Sequence, residues 1–192
     1  MQKKPKNLKT TGSVRIIGGI WRGRKLKVLS MPGLRPTPDR VRETLFNWLA
    51  PCISGARCID LFAGSGALSF EAISRGAAYV EMIDQSKKIV AQLKEELLLL
   101  EGFNGTVYEA DSPHGLQKPL IPFDIAFLDP PYDASLLIPS CHYLEEHQFL
   151  KHEALIYLES NRPIKAEDLP KNWQIIKAKI AGDVAFHLAK RM

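Results

Sequence analysis

A proline-rich tetrapeptide, Asp129-Pro130-Pro131-Tyr132, follows the apolar run FDIAFL and carries the strongest local signal for chemistry in the chain. Base amino groups are poor nucleophiles because the nitrogen lone pair is conjugated into the ring. The Asp129 carboxylate can accept a hydrogen bond from one N–H of such an amine, and the Pro130 carbonyl can accept one from the other. These two bonds would direct the nitrogen lone pair at a methyl group. The two prolines fix the backbone, and Tyr132 offers a ring on which a flipped base can stack. The motif therefore predicts methyl transfer to a base amine, with a rigid turn and a capping aspartate as the alternative.

A second candidate site is the sequence DLFAGSG, which places Gly64 and Gly66 between a β-rich run and a helical pattern. Missing side chains let the backbone turn tightly there and approach a ligand. Asp60 stands at the strand tip, where a carboxylate would repel a dinucleotide pyrophosphate, and Ser69 stands where such a site needs Gly or Ala. These residues argue against a nicotinamide-dependent dehydrogenase. A carboxylate suits the ammonium and sulfonium of S-adenosylmethionine, so we take Asp60, Phe62, Gly64 and Gly66 as candidate cofactor residues.

Two further acidic residues end the next β-rich runs. Asp84 follows Gly66 at about the spacing at which an acidic residue reaches ribose hydroxyls in nucleotide-binding folds. Asp111 ends the third run and is placed to accept a hydrogen bond from an adenine amino group. Capping of a following helix is the alternative for both residues, and it competes more strongly at Asp111.

Positive charge is concentrated near the amino terminus. Residues 1–42 contain twelve Lys or Arg and one acidic residue, so they carry +11 within a total of +5, and the remainder carries −6. Clustered basic residues neutralise phosphates, which indicates a nucleic-acid partner. A solubilising tail explains Lys3 to Lys9 equally well, but the later charges lie among residues that would pack, such as Ile16 and Trp21. The candidate RNA contacts are Arg15, Arg22, Arg24, Lys25, Arg40 and Arg42.

From residue 56 onward, β-rich runs alternate with helical patterns, which predicts an α/β fold with a doubly wound, Rossmann-like parallel sheet. The run from Ser13 to Leu29 reads as a basic β-hairpin, and a capped helix is expected from Thr37 or Pro38 to the residues before Pro51. Two strands around Gly182 would complete the sheet as an antiparallel hairpin. We expect three parts: a flexible basic arm at 1–12, an RNA-docking hairpin extension at 13–36 and a methyltransferase domain at 37–192.

The cysteine and histidine patterns predict no metal site. Cys52, Cys58 and Cys141 form no CxxC pair, and their odd number predicts reduced, buried thiols rather than a disulfide framework. The five histidines show no HExxH or finger-like spacing. No apolar run approaches the length of a membrane helix, and the first residues lack the apolar core of a secretory signal, so we expect a cytoplasmic protein.

Four sequence blocks together resemble a known enzyme family. RIIGGIWRGRKL, RPTPDRVRETLFNWL, DLFAGSGALSFEA and DPPY, in this order and spacing, are similar to the RsmD-type bacterial 16S ribosomal RNA guanine-N2 methyltransferases. The resemblance extends from about Val14 to Leu188. Its first two blocks are the more specific ones, because many amino-methyltransferases share the last two.

The resemblance implies S-adenosylmethionine as methyl donor and guanine in 16S rRNA as substrate, within the small ribosomal subunit or its assembly intermediate. It also implies that one set of residues lines the cofactor pocket and another holds the guanine amino group: Asp60, Gly64, Gly66, Asp84 and Asp111 for the cofactor, and Asp129, Pro130 and Tyr132 for the base. Two departures are visible. Pro38 stands where a second threonine is common, and ADSPHGL is less typical of the family, which weakens the expected adenine contact of Asp111.

Two other functions fit parts of the pattern. An adenine-N6 or cytosine-N4 DNA methyltransferase would use the same Asp-Pro-Pro-Tyr geometry, although 192 residues leave little room for a sequence-reading domain. A non-catalytic RNA-binding protein with a degenerate fold would not need an intact Asp129 or an intact glycine loop.

Overall fold

The computed structural model describes residues 10–29, 38–131 and 135–192. Outside these ranges lie residues 1–9 of the predicted 1–12 arm, the end of the predicted 13–36 extension, the Thr37 cap and the Tyr132 ring. The elements in chain order are β1 (Thr10–Arg15), β2 (Lys25–Leu29), α1 (Asp39–Leu49), β3 (Arg57–Asp60), α2 (Ala67–Ser74), β4 (Tyr79–Asp84), α3 (Lys87–Leu99), β5 (Gly105–Glu109), β6 (Phe123–Leu128), α4 (Leu137–Glu146), β7 (Leu150–Ser160), a short 3-10 helix (Ala166–Asp168), β8 (Trp173–Ala181) and β9 (Val184–Arg191).

Seven of the strands form one sheet in the order β5-β4-β3-β6-β7-β9-β8. The pairs from β5 to β7 are parallel, and β9 is antiparallel to both β7 and β8. The strand order reverses at β3 and β6, since β4 and β5 extend to one side and β7 to the other. In such sheets the ligand crevice forms at this switch point, beyond the carboxyl ends of the strands. The prediction of a doubly wound sheet completed by an antiparallel hairpin is confirmed.

Alternate side chains of each central strand face opposite layers of the core. On β6, Ile125 and Phe127 join the cluster packed against α1, α2 and α3, whereas Ala126 and Leu128 join the cluster packed against α4. This two-sided burial explains why β6 reads as a continuous apolar run. It also fixes the register at the carboxyl edge, because a slip of one residue would exchange the two faces.

The amino-terminal hairpin forms a separate two-stranded sheet that packs on the helices. β1 and β2 are antiparallel, with Arg15 opposite Lys25. Ile16, Trp21 and Leu26 of the hairpin are buried in the same cluster as α2 and α3, and the Trp21 ring lies 6.4 Å from that of Phe70. The hairpin is therefore anchored in the main core, as its mixture of apolar and basic residues predicts.

Three boundaries differ from the sequence prediction. β1 begins at Thr10, so residues 10–12 of the predicted arm belong to the hairpin. α1 begins at Asp39, directly after Pro38, which itself has an extended ψ of 145°. β7 begins at Leu150, four residues before the apolar run ALIYLES that indicates this strand in the sequence, because Leu150 already pairs with Phe123 of β6. Among the described helices, none is long and apolar enough to cross a membrane.

Candidate active site

Four acidic residues gather where the central parallel strands end. Asp60 and Asp84 are the last residues of β3 and β4. Asp129 directly follows β6, and Asp111 lies two residues beyond β5. Because β3 to β6 are parallel, these ends share one edge of the sheet, as the sequence predicted. The Leu61 amide donates a 3.2 Å hydrogen bond to the Phe127 carbonyl, so the glycine loop and the Asp-Pro-Pro turn leave the sheet side by side.

The glycine loop needs its glycines for two different reasons. Gly64 and Gly66 have φ angles of 52° and 75°, in the left-handed region that other residues avoid. A Cβ atom on Gly66 would also lie 2.5 Å from the Phe70 ring and 2.7 Å from Leu93, so a side chain there would collide with α2 and α3. The Ala63 amide donates a 2.9 Å hydrogen bond to the Ile83 carbonyl, which ties the loop to the end of β4.

Asp60 is buried beneath this loop, with 2% of its surface exposed. The Ser69 hydroxyl donates a 2.6 Å hydrogen bond to Asp60 Oδ2, and the Phe62 amide donates a longer one, 3.4 Å, to Oδ1. Burial raises the pKa of Asp60 to about 7, against the opposing effect of these hydrogen bonds. Sequence reasoning used Ser69 only to argue against a dinucleotide. Its role as the partner of Asp60 was missed, because only the packing of α2 against the end of β3 brings the two side chains together.

Asp84 connects the glycine loop with the start of α3. Its Oδ2 accepts the Gly64 amide at 3.1 Å, and its Oδ1 accepts the amide of Ser86 at 2.8 Å. Burial is the main cause of a raised pKa at this carboxyl group. A carboxylate has about four acceptor positions, so both oxygens retain capacity for a diol ligand. The loop-tying role and the predicted ribose role are thus compatible at Asp84.

Asp111 is exposed at the same edge of the sheet. Every residue between Glu109 and Phe123 is described, and none of them is helical, so there is no helix for Asp111 to cap. Its carbonyl accepts the Gly115 amide at 2.7 Å, which closes a turn. The next residue, Ser112, is buried and donates a 2.9 Å hydrogen bond to the Leu61 carbonyl, so this turn is attached to the glycine loop.

The two prolines of the Asp-Pro-Pro turn border a cleft of about 290 Å³ at the carboxyl edge of the sheet. Asp129 is half-buried and Pro130 is buried. The cleft is lined on one side by the turn and the beginning of α4, and on the other by the residues that follow β7: Pro130, Pro131, Ser135, Leu136, Leu137 and Ile138 face Glu159, Ser160, Asn161, Arg162, Pro163, Ile164 and Asp168. A compartment of this kind can enclose a small planar group beside the two prolines.

A family model described as "Conserved hypothetical protein 95" matches residues 14–190. A relative from Escherichia coli K12 named Ribosomal RNA small subunit methyltransferase D is 47% identical over 98% of this chain and 95% of its own length. The protein of the same name from Haemophilus influenzae is 44% identical, over 97% and 98% of the two chains. This chain belongs to that family. The prediction of an RsmD-type methyltransferase is confirmed.

Solved structures of this family share the fold. A structure described as putative methyltransferase yhhF from Escherichia coli superposes with a TM-score of 0.83 at 47% identity, over 94% of this chain and 98% of that one. A putative methylase, HI0767 from Haemophilus influenzae, gives a TM-score of 0.79 at 41% identity, over 94% and 99% of the two chains. The Rossmann-like sheet is therefore the fold of the family and not a peculiarity of this chain.

Most of the predicted RNA contacts lie on the surface of this RsmD-type chain. Arg22, Arg24 and Lys25 are exposed around the hairpin turn. Arg15 and Arg40 are exposed too, and the Arg15 guanidinium lies 4.0 Å from Asp39 in a solvent-exposed pair. Such a pair contributes little to stability, so it leaves Arg15 available to a phosphate.

Arg42 is different, because its side chain is 0% exposed. Its guanidinium donates to the Arg15 carbonyl at 2.9 Å and to Asp39 at 2.7 Å, and it lies 3.8 Å from the buried Glu71. The prediction that Arg42 contacts RNA is therefore wrong. The apolar stripe of α1 faces the core, and Arg42, next to Val41 on that stripe, is carried inside with it.

Two polar residues of α2, Glu71 and Ser74, hold the hairpin through hydrogen bonds that the sequence did not predict. Glu71 accepts the amides of Ile17 and Gly18 at 2.7 and 2.8 Å. The Ser74 hydroxyl accepts the Trp21 amide at 2.9 Å and donates to the Gly18 carbonyl at 2.6 Å. The helix that begins at the glycine loop thus also holds the basic hairpin. Nothing in a short, almost wholly buried helix distinguishes these polar residues in advance.

The cysteines are all free thiols, but they differ in exposure. Cys58 and Cys141 are buried, and burial raises the pKa of both thiols. Cys52 is exposed, so the prediction of three buried thiols is wrong at this position, which follows the end of α1. In the described parts of the chain, no group of three or more His, Cys, Asp or Glu side chains is arranged to hold a metal ion.

Proposed function

We propose that this methyltransferase transfers a methyl group from S-adenosylmethionine to the exocyclic N2 amino group of a guanine in 16S ribosomal RNA. The observation that carries the proposal is the side-by-side exit of the glycine loop and the Asp-Pro-Pro turn at the switch point of β3 and β6. One site suits a cationic nucleoside cofactor, and the other suits a base amine. The names of the curated relatives point to small-subunit ribosomal RNA as the acceptor.

The cofactor is S-adenosylmethionine, which supplies an electrophilic methyl group when bound. The residues at the switch point fit it. Gly64 and Gly66 would present bare backbone to the ligand, Asp84 would accept hydrogen bonds from the ribose hydroxyls, and the exposed Asp111 would accept one from the adenine amine. Asp60 contributes negative charge from below the loop rather than through an exposed oxygen, since its carboxylate is buried against Ser69. Phe62, the residue whose amide contacts Asp60, completes the loop.

The acceptor amine is held by the Asp-Pro-Pro-Tyr segment. The Asp129 carboxylate and the Pro130 carbonyl each accept one N–H, which turns the nitrogen lone pair toward the methyl group. Pro131 keeps the turn rigid, and Tyr132 stacks on the base. When bound, S-adenosylmethionine would supply the methyl group and leave as the neutral thioether, and Asp129 or water would take the proton that the methylated amine releases. No strong general base is required, because the protonated product amine is very acidic.

Substrate docking is assigned to the amino-terminal basic segment, including the 1–12 arm and the 13–36 extension. Without it the body of the protein carries a net negative charge and would repel RNA. Arg15, Arg22, Arg24, Lys25 and Arg40 supply the attraction from exposed positions. The partner is the small ribosomal subunit or its assembly intermediate, which places the reaction in the cytoplasm.

The test is transfer of a radiolabelled methyl group to purified ribosomal subunits, total RNA and DNA, followed by nucleoside analysis. N2-methylguanosine recovered from 16S rRNA is the expected product, and the Asp129→Ala variant serves as the inactive control. N6-methyladenosine, N4-methylcytosine or label confined to DNA would overturn the guanine assignment. Binding of RNA without any transfer would favour the non-catalytic alternative.

A further inference from the structure

We infer that Glu159 makes this site specific for guanine by accepting the ring N1–H while the Asp-Pro-Pro turn holds the adjacent amine. The inference rests on the proposed function and extends it, because a turn that binds an exocyclic amine does not by itself distinguish guanine from adenine or cytosine. It concerns a residue outside the motifs singled out in the sequence.

The sheet register places Glu159 beside the residue that is assigned to the amine. Leu128 at the end of β6 pairs with Leu158 of β7 in parallel register. Asp129 follows Leu128, and Glu159 follows Leu158. The two residues therefore occupy equivalent positions on neighbouring chain segments, whose backbones lie about 4.8 Å apart. The register therefore puts two carboxylates side by side at the edge of the sheet to which the base amine is assigned.

The surroundings of Glu159 favour a fixed orientation. The residue is 3% exposed, and the buried Tyr157 hydroxyl donates a 2.6 Å hydrogen bond to Glu159 Oε2. Tyr157 and Glu159 lie two residues apart on one strand and therefore on the same face. Glu159 also lines the cleft that Pro130 and Pro131 border. A carboxylate has acceptor positions beyond the one that Tyr157 uses, so it can serve a base as well.

The hydrogen-bonding pattern of the bases makes a carboxylate selective here. Guanine carries the N1–H donor directly beside its N2 amine, so it presents donors to both acidic residues. Adenine and cytosine carry a ring nitrogen with a lone pair beside their exocyclic amine. An ionised carboxylate only accepts hydrogen bonds, so it would face that lone pair and repel it. A buried polar group that the wrong base leaves unpaired is a strong basis for rejection.

The decisive experiment compares guanine with 2-aminopurine at the methylated position, first located by mapping the label in 16S rRNA. 2-Aminopurine keeps the 2-amino group but has a bare N1. The wild-type protein should prefer guanine strongly. In Glu159→Gln, kcat/KM for guanine should fall about 10- to 100-fold, and the preference over 2-aminopurine should narrow by a similar factor because an amide can donate to N1. Glu159→Asp, which keeps the carboxylate, should retain the preference at a lower rate.

A matched control lies on the same strand. Glu153 is an exposed residue of β7 that pairs with Lys190, and Glu153→Gln should leave both substrates unaffected. Affinity for S-adenosylmethionine and the melting temperature establish that each variant is folded. If Glu159→Gln keeps the wild-type preference for guanine, the inference is overturned while the proposed function stands. If the wild-type product is not N2-methylguanosine, the proposed function itself fails.

Discussion

The Ser69 hydroxyl donates a 2.6 Å hydrogen bond to the buried carboxylate of Asp60, so the first turn of α2 is joined to the end of β3 directly beneath the glycine loop. Both partners are almost without solvent contact. The interaction stabilises the ionised form of Asp60, but burial acts more strongly in the opposite direction. The loop that is assigned to a cationic cofactor therefore lies above a group whose charge changes near neutral pH.

Binding of S-adenosylmethionine should depend on the charge of Asp60. Its pKa is raised to about 7, so the affinity for the cationic cofactor should increase as pH rises through that value. Calorimetric titrations between about pH 6 and 8.5 measure this dependence. Asp60→Asn should bind more weakly at high pH and show a flatter profile. If the wild-type affinity for S-adenosylmethionine does not change with pH, the charge of Asp60 does not affect cofactor binding.

The same shift predicts how stability changes with pH. The folded pKa of about 7 lies above the ordinary aspartate value of 3.8, so the native state binds the proton more tightly than the unfolded state does. The contribution of Asp60 to stability is therefore fully present below the unfolded pKa and is lost as pH rises through the folded pKa. Urea unfolding of the wild type and Asp60→Asn at several pH values should show this extra loss only in the wild type.

Asp84→Ala should weaken S-adenosylmethionine binding by about 1.5 to 3 kcal/mol, the range for a hydrogen bond to a charged group. Asp84→Asn keeps one acceptor oxygen for the Gly64 or Ser86 amide and should lose less affinity. Isothermal titration of both variants measures the difference. An unchanged dissociation constant in Asp84→Ala would restrict Asp84 to the structural role of tying the loop to α3.

Asp129→Ala should lower methyl transfer by at least about 100-fold, since the amine would lose its alignment with the methyl group. Affinity for S-adenosylmethionine should stay within a few fold of the wild type, because Asp129 is assigned to the base. Single-turnover transfer and cofactor titration separate these effects. A parallel loss of cofactor binding would instead assign Asp129 to the cofactor pocket.

Simultaneous change of Arg22, Arg24 and Lys25 to alanine should reduce RNA binding without affecting the cofactor. Each lost phosphate contact should reduce the steepness of the plot of log affinity against log salt concentration by about 0.9. The Michaelis constant for the ribosomal substrate should rise while the S-adenosylmethionine affinity stays constant. Lys118, Lys165 and Lys171, which are exposed elsewhere, provide a control variant with the same loss of charge. If both triple variants bind RNA equally, the hairpin charges serve solubility instead.

Glu71→Ala should release the hairpin from α2. It removes the acceptor of two hairpin amides, at a cost of about 1 to 3 kcal/mol for each amide left unpaired, while Arg42 keeps its pair with Asp39. Hydrogen exchange at the Ile17 and Gly18 amides should accelerate more than exchange in the central strands. The comparison is Glu95→Ala, whose pair with Lys27 is solvent-exposed and should contribute less than about 1 kcal/mol. Unchanged exchange at Ile17 would show that apolar packing alone holds the hairpin.

Much of the architecture was predictable from local patterns. The alternation of β-rich and helical runs, the glycines of the loop at Gly64 and Gly66, and the two strands around Gly182 all appear as expected. These features depend on the periods of strands and helices, 2.0 and 3.6 residues, and on backbone preferences. Residues close together in the sequence determine both. The shared edge of Asp60, Asp84 and Asp129 also followed, because parallel strands end on one side of their sheet.

Polar residues inside the fold were the least predictable. Arg42 looked like one more residue of a basic surface, yet it lies in the interior against Asp39 and near Glu71. Ser69, Ser74 and Glu71 carried no signal for the partners they bind. The contacts of Glu71 and Ser74 with the hairpin, and of Arg42 with Glu71, join segments that are distant along the chain, so no local period or spacing encodes them. Their burial depends on which side of α1 and α2 meets the core.

The sequence by itself determined the fold class, the glycine loop and the Asp-Pro-Pro turn, because these depend on local propensity and on the order of strands. Only the tertiary structure decided which charged side chains are exposed and which are buried. It also decided that Glu159 on β7 stands one strand away from Asp129 on β6. The pairing of Leu128 with Leu158 brings these two residues together. That register is determined by the packing of both faces of the sheet, which involves residues from the whole chain.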